Sequence, residues 1–366
     1  MKMPSDRISE EICKKGVISF ASFMELALYC PETGYYETNK DKIGRQGDFI
    51  TSISVGSLFG QLLAFQFAAW LAALPAAASG ADPRLRLVET GAHDGQLARD
   101  ILAWLQAHRP ELFDQMDYVI IEPSPRRQAW QQETLKPFAA RVRWFSQLNH
   151  PALGRCRGII FSNELLDAFP VHRFGWDAAK KAWFEWGVAQ AAPGGNFCWA
   201  RMEPPISGIH GLCPADLEAV LPDQFMLETS PAAQAWWREA AATLLQGKLL
   251  AIDYGYSAGD RFSPARAQGT LRAYHRHQHA GNLLADPGRQ DLTAHVDFGA
   301  LQEVGEAAGL RTETFSTQPQ FLTRILRQAV TENVFTRFDA KQARQFQTLT
   351  HPEHLGRAFR VLVQAR

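Results

Sequence analysis

The chain has 366 residues, enough to bury a large core and to form about one to three domains. Its 38 Lys and Arg balance 38 Asp and Glu, and no long basic run appears, which disfavours generic nucleic-acid binding. The five cysteines, Cys13, Cys30, Cys156, Cys198 and Cys213, are widely spaced and form no C-x-x-C pair, which argues against a disulfide framework and against a zinc site.

The N-terminus mixes Asp6, Glu10 and Glu11 with lysines and has no apolar core. It reads as neither a signal peptide nor a transit peptide, so the expectation is a cytoplasmic protein. Residues 17–29 read as a helix with Phe20, Phe23, Met24, Ala27 and Leu28 on one face. Pro31 to Gly34 then turn the chain before Tyr35 and Tyr36, which read as packing residues. Ile43 to Ser52 reads IGRQGDFITS. It is either a plain turn or a loop that meets a ligand through Asp48, Thr51 and Ser52. Leu58 to Ala78 is strongly apolar, but Gln61, Gln66 and Pro75 interrupt it, so a buried helix over 57–74 is expected rather than a membrane span.

The chain is organised around Arg84 to Ala103, RLRLVETGAHDGQLARDILA. Leu85, Leu87 and Val88 predict a buried strand. Leu97, Ala98, Ile101, Leu102 and Leu105 recur at helical spacing after a glycine turn. A dinucleotide fingerprint would need glycine where His93 and Gln96 stand, which argues against a nicotinamide oxidoreductase. An acid followed by G-x-x-x-G suits S-adenosylmethionine better. Glu89 would hold the positive end of its methionine moiety, and Gly91 and Gly95 would let the backbone approach it. An ordinary tight strand-to-helix turn has the same pattern. Tyr118 to Ile121 predicts a second strand ending at Glu122, whose two carboxylate oxygens could accept from both hydroxyls of a ribose. A helix follows to about Leu135, then a third strand over 142–145.

Residues 158–162 predict a fourth strand running into Asn163, Glu164 and Asp167. On a helical turn Glu164 and Asp167 would face one another, three residues apart. Asn163 capping a helix with solvent-exposed acids is the plainer reading. Residues 172–246 turn to alternating tryptophans and then repeated prolines, as in an insertion of antiparallel strands, with a helix from Thr229 to Gln246. Residues 248–255 predict a fifth strand. His275, His277 and His279 alternate at spacing two, which on one strand gives one face. No fourth ligand stands at a standard offset, so no metal is expected. Strands at 310–315 and 359–363, separated by helices, fit the antiparallel tail of a class I methyltransferase sheet.

Five stretches together resemble one family: PETGYY, IGRQGDFITS, the glycine loop with its strand, FSNELLDAFPVH, and AIDYG with DLTAHVDF. They resemble the MidA-like S-adenosylmethionine-dependent methyltransferases. The resemblance implies a Rossmann-like class I methyltransferase sheet with a helical N-terminal lid over residues 1–80 and a core over 81–366, carrying the insertion 172–246 and packed as one unit. It implies S-adenosylmethionine as cofactor, and a protein substrate modified on arginine. By analogy with the mitochondrial member, that substrate is a respiratory-complex subunit. No nucleic-acid partner and no membrane insertion are expected. The expected catalytic residues are Glu164, Asp167 and Asn163. Glu89, Gly91, Gly95, Glu122, Asp48, Thr51 and Ser52 are expected to bind the cofactor. Two departures stand out: His93 replaces a family glycine, and Ile53-Ser54 replaces the usual Pro-Glu after the ITS of the lid. They leave open a degenerate methyltransferase fold that serves as a binding or assembly factor.

Overall fold

The computed structural model describes residues 2–38, 51–76, 84–192, 194–202, 213–275, 278–279, 281–335 and 338–366. The chain forms two compact units, each drawn from three stretches. One comprises residues 1–39, 167–233 and 256–297, and the other 40–166, 234–255 and 298–366. This differs from the expected boundary near residue 80 and from a single packed core after it. The N-terminal helices join the former insertion instead.

The second unit is built on a seven-strand path. Its strands are β1 (Leu85–Thr90), β2 (Met116–Ile121), β3 (Val142–Phe145), β4 (Cys156–Asn163), β5 (Leu244–Tyr256), β6 (Arg311–Thr317) and β7 (Phe359–Ala365). They lie in the order β3-β2-β1-β4-β5-β7-β6. The first five are parallel, and β7 runs antiparallel to both β5 and β6. The strand order reverses between β1 and β4, so the carboxyl ends of these two strands flank the place where open α/β sheets bind ligands. Two glycines let neighbouring strands approach closely, β5 to β4 and β4 to β1. A Cβ on Gly247 would lie 1.8 Å from the Gly158 carbonyl oxygen, and one on Gly158 would lie 2.0 Å from that of Arg86.

The helix α1 (Leu58–Ala72) is apolar all round and packs into the core with α2 (Gln96–His108). Phe67 meets Phe161 of β4 at 4.9 Å between ring centres, and Phe65 meets Trp104 of α2 at 6.1 Å. Burying each such side chain stabilises the fold by about 2 kcal/mol. The start of α1 is held from a distance: Gln345 Oε1 accepts from the Leu58 N–H at 3.2 Å. No described helix is long and apolar enough to cross a membrane. The helix α3 (Pro125–Thr134) begins at Ser124, whose hydroxyl accepts from the Arg127 N–H.

The first unit holds the helices Pro4–Lys15 and Phe20–Tyr29 and an antiparallel sheet whose strands include His172–Asp177, Ala182–Gln190, Phe197–Met202 and Met226–Thr229. The expected hairpins of the 172–246 region are therefore present, with a helix at Pro231–Thr243. His275 ends one strand, Arg272–His275, and His279 lies in the next, Gln278–His279, paired with it antiparallel. A hairpin thus separates what the spacing of two suggested was one strand; His277 lies outside the described residues.

Candidate active site

The glycine loop leaves β1 at Thr90 and enters α2 at Gln96. Gly91 (φ +82°), His93 (φ +46°) and Gly95 (φ +84°) all take the left-handed conformation. Glycine adopts it without penalty, whereas His93 carries a Cβ there and is strained. A Cβ on Gly91 would meet the Leu165 side chain at 2.9 Å. The expected strand, turn and helix are all in place.

Glu89 is 2% exposed. It lies on the same face of the sheet as Phe161 and Tyr118, and its Oε2 accepts from the Tyr118 hydroxyl at 2.6 Å. Burial pushes its carboxyl up to about 7, against the lowering bond from Tyr118, and the charge of Asp94 adds to the rise. A ligand cation beside it would offset that cost.

Glu122, at the tip of β2, is also buried, but its oxygens are already engaged. Oε1 accepts from the Ser124 N–H at 3.0 Å and the Arg127 Nε at 2.9 Å, and Oε2 from the Gln131 Nε2 at 3.0 Å. The second nitrogen of the Arg127 fork lies 2.8 Å from Oε1. A carboxylate offers about four acceptor sites, so a ribose hydroxyl would share these oxygens rather than own them.

The turn after β4 differs from the expected helix. Asn163 ends the strand, the Glu164 N–H donates to the Ile252 carbonyl at 2.9 Å, and Glu164 takes a left-handed φ of +51°. Only a short 3-10 turn, Leu166–Ala168, follows. The left-handed Glu164 breaks a helical run at its start, and Asp253 on β5 fixes the turn that results: its Oδ2 accepts from the N–H groups of Leu165 and Leu166, at 3.1 and 2.8 Å. Glu164 and Asp167 are therefore not paired on a helical face. Asp167 belongs to the first unit, where its carbonyl accepts from the Ala294 N–H at 2.9 Å and its charge adds to the burial that raises the Tyr36 and Tyr274 hydroxyls.

Asn163 and Glu164 do come together. Glu164 Oε1 accepts from the Asn163 Nδ2 at 3.1 Å and from the Ser52 N–H at 2.9 Å. Ser52 is anchored in turn by its hydroxyl on Gln318, while Thr51 and Ser54 exchange hydrogen bonds in a tight turn. Asp48 lies outside the described residues. Glu164 Oε2, Asn163 Oδ1, Thr90 Oγ1 and Ser162 Oγ are sealed from solvent without a hydrogen-bond partner among the described residues. Thr90 and Ser162 are direct neighbours across β1 and β4. Buried polar atoms are rarely left unpaired, and here four of them gather at the strand ends where the sheet reverses. Burial pushes the Glu164 carboxyl up to about 8, against the bonds from Ser52 and Asn163 and with help from Asp253.

Residues 62–316 match the family described as "Putative S-adenosyl-L-methionine-dependent methyltransferase". The chain belongs to this family. A Burkholderia thailandensis protein crystallised with S-adenosyl-homocysteine is similar, with 33% identity, a TM-score of 0.83, and coverage of 99% of this chain and 92% of that one. A second structure from that organism has 31% identity, a TM-score of 0.80, and coverage of 99% and 91%. Among curated relatives, "Protein arginine methyltransferase NDUFAF7 homolog, mitochondrial" of Drosophila melanogaster is 27% identical over 327 residues, 83% of this chain and 70% of its own length. The Mus musculus protein of that name is 27% identical over 326 residues, 81% of this chain and 68% of its own. The resemblance to MidA-like methyltransferases holds, and so does the class I sheet. The expected cytoplasmic location does not: these relatives are all named mitochondrial.

S-adenosylmethionine is the cofactor of this methyltransferase. The residues present fit it. The left-handed Gly91 and Gly95 shape the loop at the carboxyl end of β1, and the Thr90 and Ser162 hydroxyls at that end are without a partner among the described residues, as a site for a donor such as the cofactor's ammonium would be. Sequence reasoning gave no role to Tyr118, Arg127, Gln131, Ser162 or Asp253. Asp253 and Ser162 stood inside quoted motifs, and Tyr118 lies on the Glu89 face by strand register, so a signal existed for those three. Gln131 had none beyond its place in a polar helix.

Proposed function

We propose that this methyltransferase modifies an arginine side chain of a partner protein, and that Glu164 with Asn163 orients the guanidinium. The observation that carries the reading is the unpaired, solvent-sealed Oε2 of Glu164 beside the unpaired Oδ1 of Asn163. Two acceptors held together by their own hydrogen bond match a planar donor fork, which can give two parallel bonds. A lysine would be gripped less rigidly, and a neutral substrate without donors would leave both oxygens unpaired at a cost. The names of the curated relatives support the same substrate class.

When bound, the cofactor supplies a methyl group carried on a sulfonium. The chain's own residues bind, orient and accept a proton. A carboxyl raised to about 8 is poised to take the proton that the attacking nitrogen must lose, at Oε2, while Ser52 and Asn163 hold Oε1 in place. Positioning of this kind can supply several kcal/mol of the barrier.

The test is mass spectrometry of a lysate incubated with the protein and isotope-labelled S-adenosylmethionine, beside a Glu164→Gln control. Label on arginine of a protein, strongly reduced in the control, is the expected result. Label on lysine or on small molecules but not on arginine would overturn the substrate class. Equal arginine labelling by the control would remove Glu164 from its role.

A further inference from the structure

Gln131 is wholly buried in α3, although the helix around it, PRRQAWQQET, is polar. Its side chain bonds three separate elements. Nε2 donates to the His93 carbonyl of the glycine loop at 3.1 Å and to Glu122 Oε2 at 3.0 Å, and Oε1 accepts from the Trp144 Nε1 of β3 at 3.0 Å. Both amide protons are thus spent on the two segments that border the nucleoside end of the site. The fit leaves no slack: a Cβ on Gly95 would stand 3.3 Å from the Gln131 Cα. Ser124 and Arg127 fix Glu122 from its other oxygen, so the carboxylate is held from both sides while the loop is tied to it through one amide.

We propose that Gln131 is a positioning residue that sets the gap between the glycine loop and the Glu122 carboxylate, and through that gap the affinity for S-adenosylmethionine. The proposal rests on the cofactor lying between that loop and Glu122. An amide suits the task because it donates twice and accepts once without adding charge beside a buried carboxylate. Groups whose rotamers are locked by such bonds hold a ligand more tightly than groups that must first be ordered.

The experiment measures binding of S-adenosyl-homocysteine by calorimetry, and the indole N–H resonance of Trp144 in the ligand-free protein. The variants are Gln131→Met, Gln131→Glu, Trp144→Phe and Glu122→Gln. Gln131→Met should weaken binding about tenfold and shift the Trp144 resonance, since all three bonds go. Gln131→Glu keeps an acceptor for Trp144 and, sharing one proton with the buried Glu122 carboxylate, at most one donor, so the resonance should stay while the bond to the His93 carbonyl is lost and affinity falls at least about tenfold. Trp144→Phe spares both donors and should bind within about twofold. The losses in Gln131→Met and Glu122→Gln should combine to less than their product, as for residues in one network. Unchanged affinity in Gln131→Glu, or an equal loss in Trp144→Phe, would overturn the proposal, and Gln131→Glu decides if Gln131→Met does not fold. If Glu122→Gln weakens binding and the Gln131 variants do not, the strut fails alone. If Glu122→Gln binds as wild type, the cofactor placement fails and the strut with it.

Discussion

The Tyr118 hydroxyl donates to the Glu89 carboxylate across 2.6 Å, from neighbouring strands and on one face of the sheet. Burial pushes Glu89 up to about 7 from an ordinary 4.5. A carboxyl raised in the folded state contributes stability below about pH 4.5, and that contribution is lost as pH rises through about 7, on the order of 3 kcal/mol. Glu164 adds a loss of the same sign that continues to about pH 8. The ligand-free protein should therefore melt at a lower temperature at pH 8 than at pH 5.5. Glu89→Gln should flatten the slope, and Tyr118→Phe should steepen it by removing a donor to the charged form. Calorimetric melts across this range check it, and a flat wild-type profile would refute it.

Glu164 also predicts how catalysis follows pH. A proton acceptor raised to about 8 in the free enzyme should make kcat/KM climb with pH and level off above about 8. In Glu164→Gln that limb should vanish along with most of the rate. A variant that retains the limb would place the proton acceptor elsewhere.

Glu122→Ala should weaken S-adenosylmethionine binding at least about tenfold, roughly 1.4 kcal/mol. Its removal deprives the Arg127 fork and the Gln131 amide of their acceptor as well as the ribose. Calorimetry on a variant shown to be folded is the measurement. An unaltered dissociation constant would mean that the ribose binds elsewhere.

His93→Gly should leave cofactor affinity within a few fold. Relief of the left-handed strain at φ +46° is worth about 1 kcal/mol, and the added freedom of the unfolded chain costs a similar amount. Melting and binding should both stay close to wild type. A large gain in affinity would show that histidine impairs the loop, and would favour a role in assembly over turnover.

Where local periodicity decides the structure, the sequence was sufficient. Val142–Phe145 forms the strand expected of it, and the turn from β1 into α2 follows its glycines. It failed where a distant residue intervenes. The spacing of Glu164 and Asp167 suggests a helical face, but Glu164 turns left-handed and Asp253, far along the chain, holds the Leu165 and Leu166 N–H groups in that turn. The helix Pro4–Lys15 was missed for another reason: its stripe is thin, essentially Ile8 and Ile12. It was nevertheless legible in their spacing of four and in Asp6, which accepts from the Met3 N–H. Gln131 could not be found from sequence, because nothing in a polar helix tells which glutamine turns inward.

The interleaving of the two units has a consequence for biosynthesis. On the ribosome β1 to β4 emerge in turn and can pair as they appear, yet the open flank of β4 must wait for β5, and β5 for β7. Pairing across such separations is slow, and an apolar strand edge left bare meanwhile invites association with other chains. Much of the nascent chain must therefore be kept apart from its neighbours until late in synthesis. Production of folded protein should respond to chaperone supply and to lowered temperature more strongly than it would for a protein whose units follow one another along the chain.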